Sequence, residues 1–309
     1  MAEDVTASRG WLLVRLEGPD GVRHGAVAPG VRDRVALLDH AEPLALLSPG
    51  ALAEQAAEAD EAIEGVDPET LRPPAPWRLL VPVEFPEVWC AGVTYERSRD
   101  ARVEESRTEA RDAYELVYEA ERPELFLKDA GGRRTVGQDA SVGIRSDSAW
   151  SVPEPELGLV LGEDGALLGA TVGNDVSSRD IEGENPLYLP QAKVYAGACA
   201  VGPAVLVPDD WDEPFPIEVT IRGADGKTHF EGETSTARMK RSFAELAAFC
   251  VRDNPVPPGS VLLTGTGLVP PDEFTLEPGH VVDIAVAGIG RLVNTVASAG
   301  ELLSQRGEE

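Results

Sequence analysis

The chain has 309 residues, 42% of them hydrophobic, and sets 54 acidic side chains against 27 basic ones for a net charge of −27. That field repels phosphate backbones and argues against nucleic acid as a partner, while no stretch approaches the roughly 18 apolar residues of a membrane span. The opening MAEDVTASRG is acidic where a secretory signal would be basic, so the expectation is a cytoplasmic protein.

Three widely spaced cysteines, Cys90, Cys199 and Cys250, read as small buried hydrophobes of a reducing compartment rather than zinc or redox ligands. Lysine occurs only at 128, 193, 227 and 240, and the other 23 basic residues are arginine. An acidic, lysine-poor surface suits a high-salt cytoplasm, and a GC-rich genome would give the same bias.

In chain order, WLLVRLEG at 11–18 predicts a strand ending in the turn Pro19-Asp20-Gly21, and VALLD at 35–39 a second. The alanine-rich run at 49–63 reads as an acidic helix. The proline-rich LRPPAPW at 71–77 marks a junction between a small N-terminal α/β domain, 1–80, and a main body, 81–309. In that body a strand is expected at 88–91, a polar helix or broken helix over 97–120, and a strand at 123–129. Hairpins are expected from 156–175 and from 217–233. Ser242 with Glu245 is a capping box opening the helix SFAELAAFC. Strand signals at 260–267 and 280–290 close the series.

The chemistry concentrates in WSVPEPELGLVLG. Residues two apart in an extended segment point the same way, and Pro155 keeps this one extended, so Glu154 and Glu156 face one site. Two adjacent carboxylates repel unless a proton or cation lies between them. A hairpin return would bring Asp175 to the pair, giving three hard oxygen ligands suited to Mg²⁺ or Mn²⁺. By spacing alone the same Glu-x-Glu pair would also suit a solvated face of so acidic a chain. Phosphate-loop, dinucleotide, serine-elbow and zinc signatures are absent from the sequence.

The segments VWCAGVTYERSRDARVEES, ERPELFLKDAG, VPEPELGLVLG, GATVGNDVSSRD, QAKVYAGACAVGP and VLLTGTGLVP occur in this order over 88–270. Together they resemble the fumarylacetoacetate hydrolase superfamily, most closely its branch of 2-dehydro-3-deoxy-pentonate dehydratases. The resemblance implies a mixed α+β fold with a fumarylacetoacetase-like β-roll core, and a homodimer or homotetramer. It also implies Mg²⁺ or Mn²⁺ on Glu154, Glu156 and Asp175, with Lys193 at the position of the active-site lysine. The implied reaction turns a small 2-oxo sugar acid, 2-dehydro-3-deoxy-D-arabinonate, into 2,5-dioxopentanoate and water. Hydrolysis, decarboxylation or tautomerisation of another 2-oxo acid, such as an acylpyruvate or oxaloacetate, is the alternative.

One departure bears on that choice. Hydrolases and decarboxylases of the superfamily carry a histidine three residues after the tyrosine matching Tyr95, and here that position is Ser98. Dehydration, which needs no activated water, fits better. A 2-oxo acid chelated through a carboxylate oxygen and its keto oxygen has an acidified C3 proton, and expulsion of the C4 hydroxyl then requires a proton donor. Lys193 is the leading acid/base candidate or else a carboxylate-binding charge, and Glu184, in the stretch GENPLYLP, is a second acid/base candidate. Arg97, Arg99, Lys128 and Thr266 are candidate substrate contacts, the arginines through paired hydrogen bonds. Arg179 and Asp180 are read as bracing the segment after Asp175.

Overall fold

In the computed structural model, residues 5–39, 42–48, 50–98 and 116–306 are described. The chain begins as a meander in which β1 (Gly10–Gly18) turns into β2 (Gly21–Ala28) and pairs with it, and β2 pairs with β3 (Val31–Leu38). The run expected as one helix over 49–63 divides. α1 covers Ala51–Glu58, and the remainder becomes β4 (Glu61–Glu64), which places buried Ile63 opposite Val35. That cross-strand apolar pair outweighs the helical propensity of the run's last few residues.

β5 (Glu87–Gly92) and β6 (Glu124–Ala130) pair antiparallel, and β7 (Ser141–Ile144) follows. Most of the helix expected over 97–120 lies outside the described residues. β8 (Pro155–Leu161) and β9 (Leu167–Asp175) form the first expected hairpin, followed by the short helices α2 (Arg179–Glu184) and α3 (Leu189–Lys193) and then β10 (Cys199–Pro208). β11 (Pro216–Arg222) and β12 (Thr228–Ser235) form the second hairpin. α4 (Phe243–Val251) opens on Ser242, whose Oγ accepts the Glu245 N–H at 3.2 Å, as the capping box requires. β13 (Val261–Leu263), β14 (Val281–Val286), β15 (Gly290–Ser298) and α5 (Ala299–Arg306) complete the chain. The single strand expected over 280–290 is thus two, because Gly288 at φ 83° and Gly290 at φ 133° turn the backbone between them.

Among the described residues the strands form a mixed, β-roll-like core. The larger sheet runs β4-β3-β2-β1-β10-β9-β8-β13-β5-β6, with short strands Arg78–Leu79 and Thr135–Val136 attached to β1 and β10. The smaller runs β12-β11-β14-β15-β7. Since β1 pairs with β10, the N-terminal meander continues the same sheet that carries the site. Leu157, Leu159, Leu161 and Val172 of the larger sheet pack in one cluster with Ile217, Val219, Ile284 and Leu292 of the smaller. β8 is buried along its whole length, which explains its unbroken apolar run LGLVL, whereas β11 is covered on one face and alternates. No described helix is long and apolar enough to cross a membrane.

Arg32 ties the meander to the smaller sheet. It is 7% exposed, and its guanidinium donates to the carbonyls of Pro68 (2.7 Å), Gly288 (3.1 Å) and Ile289 (3.0 Å). Arg32→Met strands the buried carbonyls of Gly288 and Ile289 and is expected to cost about 3 kcal/mol of stability, read as a lower urea midpoint at unchanged slope. An unchanged midpoint would show that the staple adds nothing net.

Candidate metal centre and active site

The register of one hairpin assembles the acidic cluster. Pro155 stands opposite Asn174 and Glu156 opposite Gly173, so Glu154 falls opposite Asp175, whose N–H donates to the Glu154 carbonyl at 3.0 Å. Side chains at 154, 156 and 175 therefore share one face of the sheet. Each offers a carboxylate oxygen within 4.8 Å of the others, and all three are buried, at 4%, 1% and 1% exposure.

Burying three carboxylates is costly unless opposite charge accompanies them, and three cations do. Lys193, the last residue of α3, donates to Glu154 Oε2 (2.8 Å), Asp175 Oδ2 (2.9 Å) and Ser177 Oγ (2.6 Å). Arg179, the first residue of α2, donates to Glu154 Oε1 at 3.1 Å. Lys128 is fully buried on β6, ion-paired with Asp175 Oδ1 and donating to the Val176 carbonyl at 2.8 Å. Glu156 instead accepts the Gly265 N–H at 2.6 Å. Burial, then the charges of Asp175 and Glu154, push its carboxyl well above the ordinary range.

This donor set fits a divalent cation. It consists of carboxylate oxygens alone, which select hard ions. The proton that Glu156 favours and the ammonium of Lys193 relieve the same repulsion a cation would relieve.

A small cavity of about 20 Å³ opens onto the cluster. Thr266 lines it, 4% exposed, with its hydroxyl bonded to Leu268. Lys128 sits behind Asp175 and is not among the lining residues. Asp180 turns onto Ser148 Oγ (2.6 Å) and the Ala149 N–H (2.8 Å), bracing the chain before β8. Arg97 is exposed and does not line the cavity, and Arg99 lies outside the described residues. Glu184 is exposed, and the acid of α2 that enters the cavity is Glu182, 4% exposed. Helical spacing would have found it, because Glu182 is three residues after Arg179 and shares its face, whereas Glu184 is five after. Glu124 also lines the cavity, which neither composition nor periodicity indicates.

Ser98 stands on the wall too, its Oγ donating to the Tyr95 carbonyl at 2.8 Å. Among the described residues His24, His229 and His280 lie elsewhere, and His40 is outside them. His280 accepts the Glu277 N–H through Nδ1 at 3.2 Å with its ring 5.0 Å from that of His229, the structural position expected of it.

The family profile for the fumarylacetoacetate (FAA) hydrolase C-terminal region matches residues 87–297. The chain belongs to the fumarylacetoacetate hydrolase family. Within the family it is 51% identical over 219 residues to a Haloferax volcanii protein called "probable 2-keto-3-deoxyxylonate dehydratase", covering 71% of this chain and 74% of that one. It is 42% identical over 222 residues to the 2-dehydro-3-deoxy-D-arabinonate dehydratase of Saccharolobus solfataricus, with the same coverage of 71% and 74%. A solved structure of 2-keto-3-deoxy-D-arabinonate dehydratase complexed with magnesium and 2,5-dioxopentanoate superposes with a TM-score of 0.79 at 34% identity. That match covers 93% of this chain and 99% of the other.

The pairing of Lys128 with Asp175 yields a direct test. Lys128→Met leaves a buried carboxylate short of one counter-charge and is expected to destabilise the metal-free protein by about 3 to 5 kcal/mol. Adding Asp175→Asn should recover more than half of that loss in a double-mutant cycle. Additive losses in urea denaturation would mean that the pair is not coupled.

Proposed function

We propose that this protein dehydrates 2-dehydro-3-deoxy-D-arabinonate, also reached from D-xylonate, to 2,5-dioxopentanoate, as a hydro-lyase of oxidative pentose breakdown. The observation that carries the reading is the likeness to a dehydratase structure across 93% of the chain, in a protein whose cavity presents a buried carboxylate triad. Glu154, Glu156 and Asp175 would hold the cation, for which we favour Mg²⁺ over Mn²⁺ because that similar structure contains magnesium. Bound there, a divalent ion acts as a Lewis acid on a 2-oxo carboxylate and makes the C3 proton easier to remove.

The chain's own residues then bind and move protons. Arg179 and Lys128 hold Glu154 and Asp175 in place, and the Gly265 amide fixes Glu156. Lys193 lines the cavity beside the triad, where its ammonium can also meet a substrate carboxylate. Thr266 offers a hydroxyl on the same wall. Ser98 in place of the family's histidine leaves no imidazole among the described wall residues to activate water, which favours elimination over hydrolysis. Three buried free cysteines suit a cytoplasmic protein, and a homo-oligomer is expected of this family.

The deciding assay incubates purified protein with 2-dehydro-3-deoxy-D-arabinonate and Mg²⁺, or with excess EDTA, and follows 2,5-dioxopentanoate by mass spectrometry. Formation should be metal-dependent, and Glu154→Gln or Asp175→Asn should lower it by about 10³-fold or more. No product from metal-replete protein at low and high salt would overturn the assignment and turn attention to acylpyruvates and oxaloacetate.

A further inference from the structure

One peptide unit joins the carboxylate triad to a residue outside the cavity. The Gly265 N–H that donates to Glu156 Oε2 at 2.6 Å belongs to the same planar unit as the Thr264 carbonyl, and in a trans peptide the two groups point in opposite directions. On the far side of that plane the Thr94 hydroxyl donates to the Thr264 carbonyl, also at 2.6 Å. Thr94 and Glu156 thus stand at the two ends of one relay, hydroxyl to carbonyl and amide to carboxylate. Thr94 is fully buried and does not line the cavity, so any effect on the site passes through the peptide it holds.

The unit needs such a hold. Thr264 is tied to β8 through its N–H (3.0 Å) and its hydroxyl (2.9 Å), both on the Leu157 carbonyl, and neither bond sets the peptide plane that follows. Gly265 stands at φ 92°, and glycine accepts either orientation of the peptide before it. A flipped unit would aim the Thr264 carbonyl at Glu156 and set two acceptors against each other. The close approach also requires glycine at 265, since a Cβ there would fall 2.1 Å from Thr94 Oγ1.

An unusual turn puts Thr94 in reach. Val93 stands at φ 52°, a left-handed conformation that β-branched residues avoid and that persists only where neighbours hold it. Its side chain packs against Val117 and Tyr118, the Thr94 carbonyl accepts the Lys240 N–H at 3.0 Å, and Tyr95 forms a β-bridge with Met239. β5 therefore stops at Gly92, and the hydroxyl two residues on meets the chain just beyond the neighbouring strand β13.

We propose that Thr94 is a positioning residue for Glu156, clamping the Thr264–Gly265 peptide so that its amide holds one oxygen of the carboxylate and leaves the other for the cation. The inference rests on the metal-centre reading of the triad and is independent of which 2-oxo acid is the substrate. Groups that orient a metal ligand without touching the metal alter affinity when they are removed.

Two readouts on the substrate-free protein test the clamp, Mn²⁺ titration by electron paramagnetic resonance and the Gly265 amide resonance of the metal-free form. Labelling with ¹³C′-threonine and ¹⁵N-glycine selects Gly265 and Gly267, the two glycines that follow threonine in the chain. Thr94→Val is expected to weaken Mn²⁺ binding by about 10-fold or more and to move the Gly265 proton upfield as its bond to the carboxylate is lost. Thr94→Ser keeps the hydroxyl, and should keep the wild-type resonance with an affinity within about threefold of wild type. Thr171→Val is the control, because it strands a buried carbonyl of the same kind, that of Ala204 bonded at 2.8 Å, away from the cavity. It should lower the urea midpoint as Thr94→Val does and leave Mn²⁺ binding unchanged. Should the valine variant not fold, Thr94→Ala removes the same hydroxyl and is read in the same way. Either readout unchanged in the variant without the hydroxyl, or an equal loss of Mn²⁺ affinity in Thr171→Val, would overturn the proposal. Wild-type protein that binds no Mn²⁺ would instead overturn the metal-centre reading, and the Gly265 resonance would still decide whether Thr94 sets the peptide.

Discussion

The antiparallel register of β8 and β9 is the constraint on which the rest of the site depends. By setting Glu154 opposite Asp175 it gathers three carboxylates on one face of a sheet whose surroundings are dry. A pairing shift of one residue would send the side chains of one strand to the opposite face and dissolve the cluster. The register is held by burial, since Leu157, Leu159 and Leu161 on β8 and Val172 on β9 belong to the cluster between the two sheets. The apolar core thereby fixes the geometry of the most polar place in the molecule.

The same constraint explains the residues packed around the triad. Glycine faces Glu156 across the hairpin at 173, where a Cβ would fall 2.4 Å from Leu263. Gly265, at φ 92°, brings its N–H to Glu156 in a space where a Cβ would meet Thr94 Oγ1 at 2.1 Å. Lys128, Lys193 and Arg179 match the triad charge for charge. Before the wall acids Glu182 and Glu124 are counted, a bound divalent ion would leave the triad and its three cations net positive by two, in a chain whose overall charge is −27. An anionic substrate is thus repelled by the surface as a whole and attracted only within about 10 Å of the centre at ordinary ionic strength.

The parts legible from sequence were those governed by near neighbours. Apolar runs and turn residues located both hairpins, and Glu154 with Glu156 was readable as a same-face pair because residues two apart in a proline-held strand point the same way, although spacing alone left a solvated face open. Asp175 followed from the hairpin. The strands over 21–28 and 199–208 went unread because GVRHGAVA is half polar and CAVGPAVLVP has a Gly-Pro pair that mimics a turn. Their pairing is decided by distant partners, as between Leu13 and Val205. In the site, the sequence pointed to Glu184 where the helical turn presents Glu182, two residues earlier and one turn from Arg179. Glu124 stands opposite Gly92 across a strand pair, and nothing local links the two.

The acids of the triad differ in what holds them. Glu154 and Asp175 are gripped by cations and Glu156 by a backbone amide, which fixes the position of all three. Lys193 is held in turn by the carboxylates it neutralises. Glu182 and Glu124 line the cavity outside the triad, and no imidazole stands among the described wall residues. The cavity's carboxylates thus come in two sets, one gathered by a single hairpin and the other supplied by a helix and a strand edge.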